Sequence, residues 1–203
     1  MEDSAAIIWL KLTDSTNDEA RRRLDVLDNL SVVAARTQTS GRGQGDHTWT
    51  SEPGQNLTFT FVLKFPPCAP LAASEILRIT QAVTHALREY LLSKGVAARI
   101  KWPNDIYVGD KKICGILIEN ILGGKQVAAS MVGIGLNLNQ LRFPADLPNP
   151  VSLRQVTGRR YDLREELVLL REELKKSASL LDSQEGRTEL ARYFDAYVFR
   201  KDA

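Results

Sequence analysis

Lys101-Trp102-Pro103-Asn104-Asp105 and, a few residues on, Gly109-Asp110-Lys111-Lys112-Ile113-Cys114-Gly115 bring cations, an Asn-Asp pair and a tight-turn dipeptide together between apolar segments. Core packing does not call for that mixture, because an unpaired buried ammonium is costly to desolvate. A site for anions does. Pro103 fixes its own φ and biases Trp102 toward extended backbone, so the first block reads as a rigid strand exit that displays Asn104 and Asp105. It also reads as an ordinary Pro-Asn-Asp turn. Lys112 stands just past the Gly109-Asp110 turn, where it could share a face with Asp105, although a hairpin lysine is ordinarily solvated.

Two glycine groups add to this. In Gly41-Arg42-Gly43-Gln44-Gly45, glycines on alternate positions let backbone N–H groups converge on an anion, and Arg42 adds a charge-assisted donor. The plain alternative is a flexible connection. It is not a P-loop, since no Gly-Lys-Ser/Thr closes it. Trp49 follows, either anchoring the loop's exit or serving the core. Gly133-Ile134-Gly135-Leu136-Asn137 ends an apolar strand with no helix after it, so a dinucleotide fingerprint fails on context. There the glycines suit a ligand lying flat against the strand, with Asn137 near a heterocycle edge. His47 and His85 are the only histidines, and neither builds a triad or a zinc site. Arg21 to Arg23 reads as a solvated helix face.

The elements that must position these residues follow from periodicity. Ile7 to Leu12 is a short apolar segment, and Asp18 to Leu27 a helix with candidate caps among Thr13 to Asn17. Ser31 to Ala35 reads as a strand, and Thr37 to Thr48 as a loop. Leu57 to Leu63 alternates as a half-buried strand. Ser74 to Lys94 has helical spacing and stops at Gly95. Strands follow at Ala98 to Lys101, Ile106 to Val108, Ile113 to Glu119 and Val127 to Leu136, with Gly109-Asp110 as a hairpin turn. Helices return from Asp162 through Leu181 and from Thr188 to Tyr197. Hairpin-linked strands flanked by helices predict an α+β fold with a mixed or antiparallel β-sheet.

The 203-residue chain is long enough for one sizeable core. A net charge of +2 does not mark a nucleic-acid binder. Cys68 and Cys114 form no disulfide or metal framework, which fits a reducing compartment. Glu2 and Asp3 carry the wrong charge for a secretory leader, and no apolar run approaches membrane-spanning length. The expectation is a cytoplasmic protein without DNA or membrane partners.

Taken in order, Asp14-Ser15-Thr16-Asn17, Gln38-Thr39-Ser40-Gly41-Arg42-Gly43, Trp49, Lys101 to Asp105, Lys112 to Leu117 and Gly133 to Asn137 resemble the biotin–protein ligase family, from about Ile7 to Asn139. The resemblance implies a catalytic domain related to class II aminoacyl-tRNA synthetases. It implies a two-step reaction in which biotin and MgATP give biotinyl-5′-AMP, and a lysine of a biotin carboxyl carrier protein then takes the biotinyl group. ATP, biotin and Mg2+ are therefore expected, with metal ligands unassigned and a homodimer left open.

By the same resemblance Ser15, Thr16, Asn17 and Gln38 surround biotin's ureido ring, and Gly41, Arg42, Gly43 and Gln44 belong to a mobile loop over the ligand. Lys112 contacts the biotin carboxylate and the α-phosphate, with Gly115 beside it, and Asp105 orients the incoming lysine. Arg42, Trp49, Lys101, Asn104 and Asn137 fall on the nucleotide side. Lys112, Arg42 and Asp105 are the catalytic candidates. The loop is poorer in arginine than is common in the family. The domain expectation is a catalytic region over 1–185 and a helical tail over 186–203, with neither a preceding DNA-binding domain nor the family's small C-terminal β domain. Two alternatives stay open: a lipoate or octanoate transferase of the same superfamily, and a nucleotide-binding regulatory module without catalysis.

Overall fold

The computed structural model describes residues 6–199, so Glu2, Asp3 and the end at 200–203 lie outside the described residues. In chain order the elements are β1 (Ile7–Leu10), α1 (Thr16–Arg22), β2 (Val32–Ala35), β3 (Leu57–Lys64), β4 (Leu71–Ala72), α2 (Leu77–Ser93), β5 (Arg99–Lys101), β6 (Asp105–Val108) and β7 (Lys111–Gly123). They continue with β8 (Gln126–Leu136), α3 (Leu153–Thr157), α4 (Leu163–Ser179), α5 (Gln184–Tyr197) and β9 (Val198–Phe199). Two compact units form: the chain up to Ala73 with Ile116–Asn137, and Ser74–Gly115 with the chain from Leu138 on.

In the first unit β1 pairs parallel with β2, while β2–β3, β3–β8 and β4–β8 are antiparallel. The alternation over Leu57 to Leu63 predicts a half-buried strand, but every residue of β3 except Lys64 is buried. The threonines face protein instead of water. Thr58 donates its hydroxyl to the Ala35 carbonyl at 2.8 Å, and Thr60 meets α1. Buried hydroxyls are tolerated because each has a partner. Helix α1 starts earlier and stops sooner than the expected Asp18 to Leu27. Ala20 of α1 and Leu24 and Leu27 of the following turns pack with Val33, Val62 and Met131, covering one face of the strands.

In the second unit β5–β6 and β6–β7 are antiparallel, and β9 pairs parallel with β5. The stripe Ile79, Val83, Leu87 and Leu91 of α2 is buried, as its helical spacing predicts, as are Leu167, Leu170 and Leu174 of α4 and Leu190 and Phe194 of α5. A polar tie joins α2 to α4: Tyr90 donates its hydroxyl to Glu166 at 2.8 Å, and the Lys94 ammonium reaches the same carboxylate. His85 sits in this helical layer with Nδ1 2.8 Å from the Ser177 hydroxyl, a structural role in which burial lowers its pKa. Helix α3 and strand β9 were not legible in the sequence. The first is a single capped turn, with Ser152 and Gln155 forming a reciprocal capping box. The second exists only through its pairing with β5.

Both units mix parallel and antiparallel strands with helices, the expected α+β class. Among the described residues no helix is long and apolar enough to cross a membrane. Cys68 is exposed and Cys114 buried, and both are free thiols.

Candidate active site

The first unit gathers a polar cup. Thr13 and Gln38 bridge in parallel beyond the ends of β1 and β2, so the turn entering α1 runs beside the turn leaving β2. The Thr13 amide donates to the Thr37 carbonyl, and the Thr39 and Ser40 amides donate to the Thr13 and Asp14 carbonyls. Ser15 is the extended N-cap residue, and its amide donates to Asp14 Oδ1 at 2.7 Å. Gln38 Oε1 accepts from the Thr16 amide at 2.8 Å, satisfying one of the helix's orphan donors. Thr60 donates to Asn17 Oδ1 at 2.6 Å and lies 2.9 Å from the Thr16 hydroxyl. Asn17 Nδ2 donates to Glu119 Oε2 at 2.8 Å and to the Leu117 carbonyl at 3.3 Å. Ser15, Thr16 and Asn17 are buried, and neighbours fix the Thr16 and Asn17 side chains in defined donor and acceptor directions.

Gly133 and Gly135 complete this region in a way the sequence did not foretell. The expectation was open space for a ligand. Instead, a Cβ on Gly133 would lie 2.6 Å from Asn17 Oδ1, and one on Gly135 would lie 2.2 Å from the Trp49 ring. The glycines are filled by the protein's own amide and indole, which their missing side chains admit. Trp49 thus anchors the loop's exit, and its amide donates to the Gly41 carbonyl at 2.9 Å. Between these residues Arg42 bridges Thr48, the Gly43 amide donates to the His47 carbonyl at 2.7 Å, and Gln44 is exposed. The Arg42 guanidinium binds Asp18 at 2.8 Å and Glu119 at 2.7 Å. Asn137, just past β8, is buried.

The arginine run beside the cup behaves as a solvated face, with Arg22 paired to Asp14 and Glu19, and Arg23 to Glu19. Hydrogen bonds from Arg22 hold the Asp14 carboxyl well below the usual carboxylate range, and they are also the main cause of the lowered Glu19 pKa.

The second unit displays charges on one strand face. Residues 102–104 form the turn between β5 and β6, placing Asn104 at its end and Lys101 opposite Asp105. Lys101 Nζ stands 5.6 Å from the Tyr107 ring centre, and burial raises the Tyr107 phenol. Lys112 Nζ binds Asp105 at 2.8 Å. A regular ladder opposite β6 would put Lys112 on the other face. The register shifts between Ile106 and Tyr107, however, so that Cys114 pairs Ile106 while Lys112 pairs Tyr107. Ile113 is the extra residue of a β-bulge, a device that re-aims a side chain. The backbone of Lys112 is held from the other side too, its amide donating to Asn149 and its carbonyl accepting from Val151, each at 2.9 Å. Gly115 pairs with Asp105.

Ser15, Thr16, Asn17, Gln38, Gly41, Arg42 and Trp49 therefore assemble within the first unit, and Lys101, Asp105, Lys112 and Gly115 within the second. Sequence reasoning missed Thr60, Asp18 and Glu119. The signal available for Glu119 was a lone carboxylate closing the apolar run Ile116-Leu117-Ile118.

Known proteins resemble this chain in sequence and in fold. A biotin–[acetyl-CoA-carboxylase] ligase of Paracoccus denitrificans is 37% identical over 182 residues, 86% of this chain and 73% of the relative. The bifunctional ligase/repressor BirA of Escherichia coli is 31% identical over 190 residues, 91% of this chain but 56% of that longer protein. The Aquifex aeolicus biotin protein ligase, solved with biotin and ATP, superposes with a TM-score of 0.81 at 26% identity, covering 96% of this chain and 78% of that one. Residues 9–137, which include the cup, its loop, the Lys101 to Asp105 turn and the Lys112 bulge, match the model of the biotin/lipoate A/B protein ligase family, and the chain belongs to that family.

Proposed function

We propose that the chain is an ATP-dependent biotin–protein ligase that forms biotinyl-5′-AMP and passes the biotinyl group to a lysine of a biotin carboxyl carrier domain. The observation that carries this reading is the network of buried Thr16, Asn17 and Thr60 with half-buried Gln38, in a chain whose relatives are biotin ligases. Fixed donors and acceptors suit a neutral cyclic urea, because a site built to hydrogen-bond strongly rejects an analogue that leaves its buried groups unpaired. Ser15, Gly41, Gly43 and Gln44 frame the same ligand.

In the first step a biotin carboxylate oxygen attacks the α-phosphorus, a C–O–P linkage forms, and the bond to the β-phosphate breaks with loss of pyrophosphate. The carboxylate is already ionised at neutral pH, so the obstacle is repulsion between anions rather than a proton. Lys112 and Arg42 offset that charge, and Lys101, Asn104, Trp49 and Asn137 serve the nucleotide. Mg2+ enters with ATP as part of the substrate. Among the described residues no group of three His, Cys, Asp or Glu is arranged to hold a metal ion. In the second step the carrier amine attacks the mixed anhydride's carbonyl and AMP leaves. Asp105 orients that amine, since a carboxylate is a weak base toward an ammonium.

Incubation with biotin, ATP and a carrier domain, followed by mass spectrometry, tests this. The expected result is one biotinyl addition on one lysine. Equal transfer of lipoate or octanoate would favour the transferase alternative, and no transfer with either acid would overturn the reading.

A further inference from the structure

Glu119 has no part in the reaction as described, yet it is the meeting point of the first unit's polar groups. Its Oε2 accepts from Asn17 Nδ2 at 2.8 Å and from Arg42 Nη2 at 2.7 Å, and its Oε1 lies 3.5 Å from Arg21 Nη2. The same Arg42 nitrogen reaches Asp18 Oδ1 at 2.8 Å. Asp18 directly follows Asn17 in α1, so one guanidinium from the 41–48 loop is gripped by two carboxylates, one on α1 and one on β7. The grip is continuous with the cup through the Asn17 side chain, whose other end is fixed by Thr60.

We propose that Glu119 is a positioning residue: it holds the Asn17 amide in the orientation the cup requires and clamps Arg42, so that ligand occupancy of the cup and closure of the loop are coupled through one carboxylate. This rests on the ligase reading for the identity of the ligand, but not for the clamp itself. Two consequences follow from the chemistry. Both acids hold Arg42 through the single nitrogen Nη2, so the clamp sets where the guanidinium stands when an anion arrives. The clamp is also electrostatic and partly exposed, with the Arg42 side chain retaining 40% of its accessible surface and Glu119 21%, so salt weakens it.

The test is Glu119→Gln, which keeps an acceptor for Asn17 but removes the charge that holds Arg42. Amide hydrogen exchange over 42–48 in the ligand-free protein should rise roughly threefold to fivefold, the scale of a partly exposed ion pair. Release of bound biotinyl-adenylate should accelerate by a similar factor. Added salt should bring the wild-type protein toward the variant and leave the variant nearly unresponsive, which loss of packing alone would not produce. Glu173→Gln, which removes a surface pair with Lys176, should change none of these. If the Glu119 variant does not fold, Asp18→Asn severs the other half of the clamp and should reproduce the loop effect. Unchanged loop exchange and an unchanged salt response in a folded variant would overturn the proposal. Failure of the wild-type protein to form adenylate would overturn the ligase reading instead, while the exchange measurement would still decide the clamp.

Discussion

Thr60 and the α1 residues around it are polar, neutral and shut away from water, whereas Lys112 and Asp105 on the bulged hairpin are charged and keep 31% and 20% of their side-chain surface exposed. In the first region position is set by packing: Asn17 and Trp49 occupy the space above Gly133 and Gly135, and the Thr16 and Thr60 hydroxyls and the Asn17 amide have named partners. In the second it is set by register, since one bulged residue decides which face Lys112 occupies. The contrast matches the two ligand parts that the proposed reaction handles. A neutral ring is recognised by dry, rigid hydrogen bonds, which lose value if water competes. Anions that change during the reaction are met by charges that need not be desolvated beforehand, because burying such charges costs more than their attraction returns.

Substitutions can break that division, and the largest effect should come from the charged face. Lys112→Ala should lower biotin-dependent adenylation by about a hundredfold or more while leaving the melting temperature nearly unchanged, the loss expected for a preorganised charge. Rates measured alongside thermal melts would separate the two effects, and a near-normal rate would remove Lys112 from the chemistry.

Gly135→Ala should do the reverse. Its methyl would overlap the Trp49 ring, so stability should fall by about 1–3 kcal/mol, the usual penalty for overpacking, as read by denaturant titration. Unaltered stability would mean that the indole does not fill that space. Asn17→Ala sharpens the comparison further. Leaving Thr60 and Glu119 short of a partner should cost about 1–3 kcal/mol, with weaker biotin binding by calorimetry.

Thiol chemistry gives a milder contrast. Burial pushes the Cys114 thiol far up, while Cys68 is exposed. Alkylation of the native protein at neutral pH should therefore label Cys68 alone, and rapid labelling of Cys114 would contradict its burial.

The smallest effect is at acid pH. Hydrogen bonds from Arg22 lower the Glu19 carboxyl below its unfolded value, so the pair's contribution is fully present above the ordinary glutamate range and is lost as pH falls through the folded value. Arg22→Ala should move the acid unfolding midpoint upward by a small amount, and an unmoved midpoint would show that the pair contributes nothing to folding.

These regions were unequally legible in the sequence. Helix α2 could be read because its apolar stripe repeats over 17 residues, and the strands from Arg99 to Leu136 could be read because they are apolar runs punctuated by turns. The meeting of Gln38 with Thr16 is a contact across 22 positions, which no local pattern encodes. The bulge at Ile113 was hidden for a similar reason: register belongs to a pair of strands, not to either one. Family motifs singled out Asn17 and Arg42, but only the fold revealed that Glu119 joins them. The glycines of Gly133-Ile134-Gly135 were noticed for the right property, absence of a side chain, and assigned the wrong occupant.

The reading of this chain as an enzyme that joins biotin to AMP is tested most directly by pyrophosphate exchange into ATP. With the purified protein, MgATP and labelled pyrophosphate, exchange should appear on addition of biotin, remain absent with lipoate or octanoate, and collapse in Lys112→Ala. Absence of exchange with biotin at saturating occupancy, or equal exchange with lipoate, would contradict it.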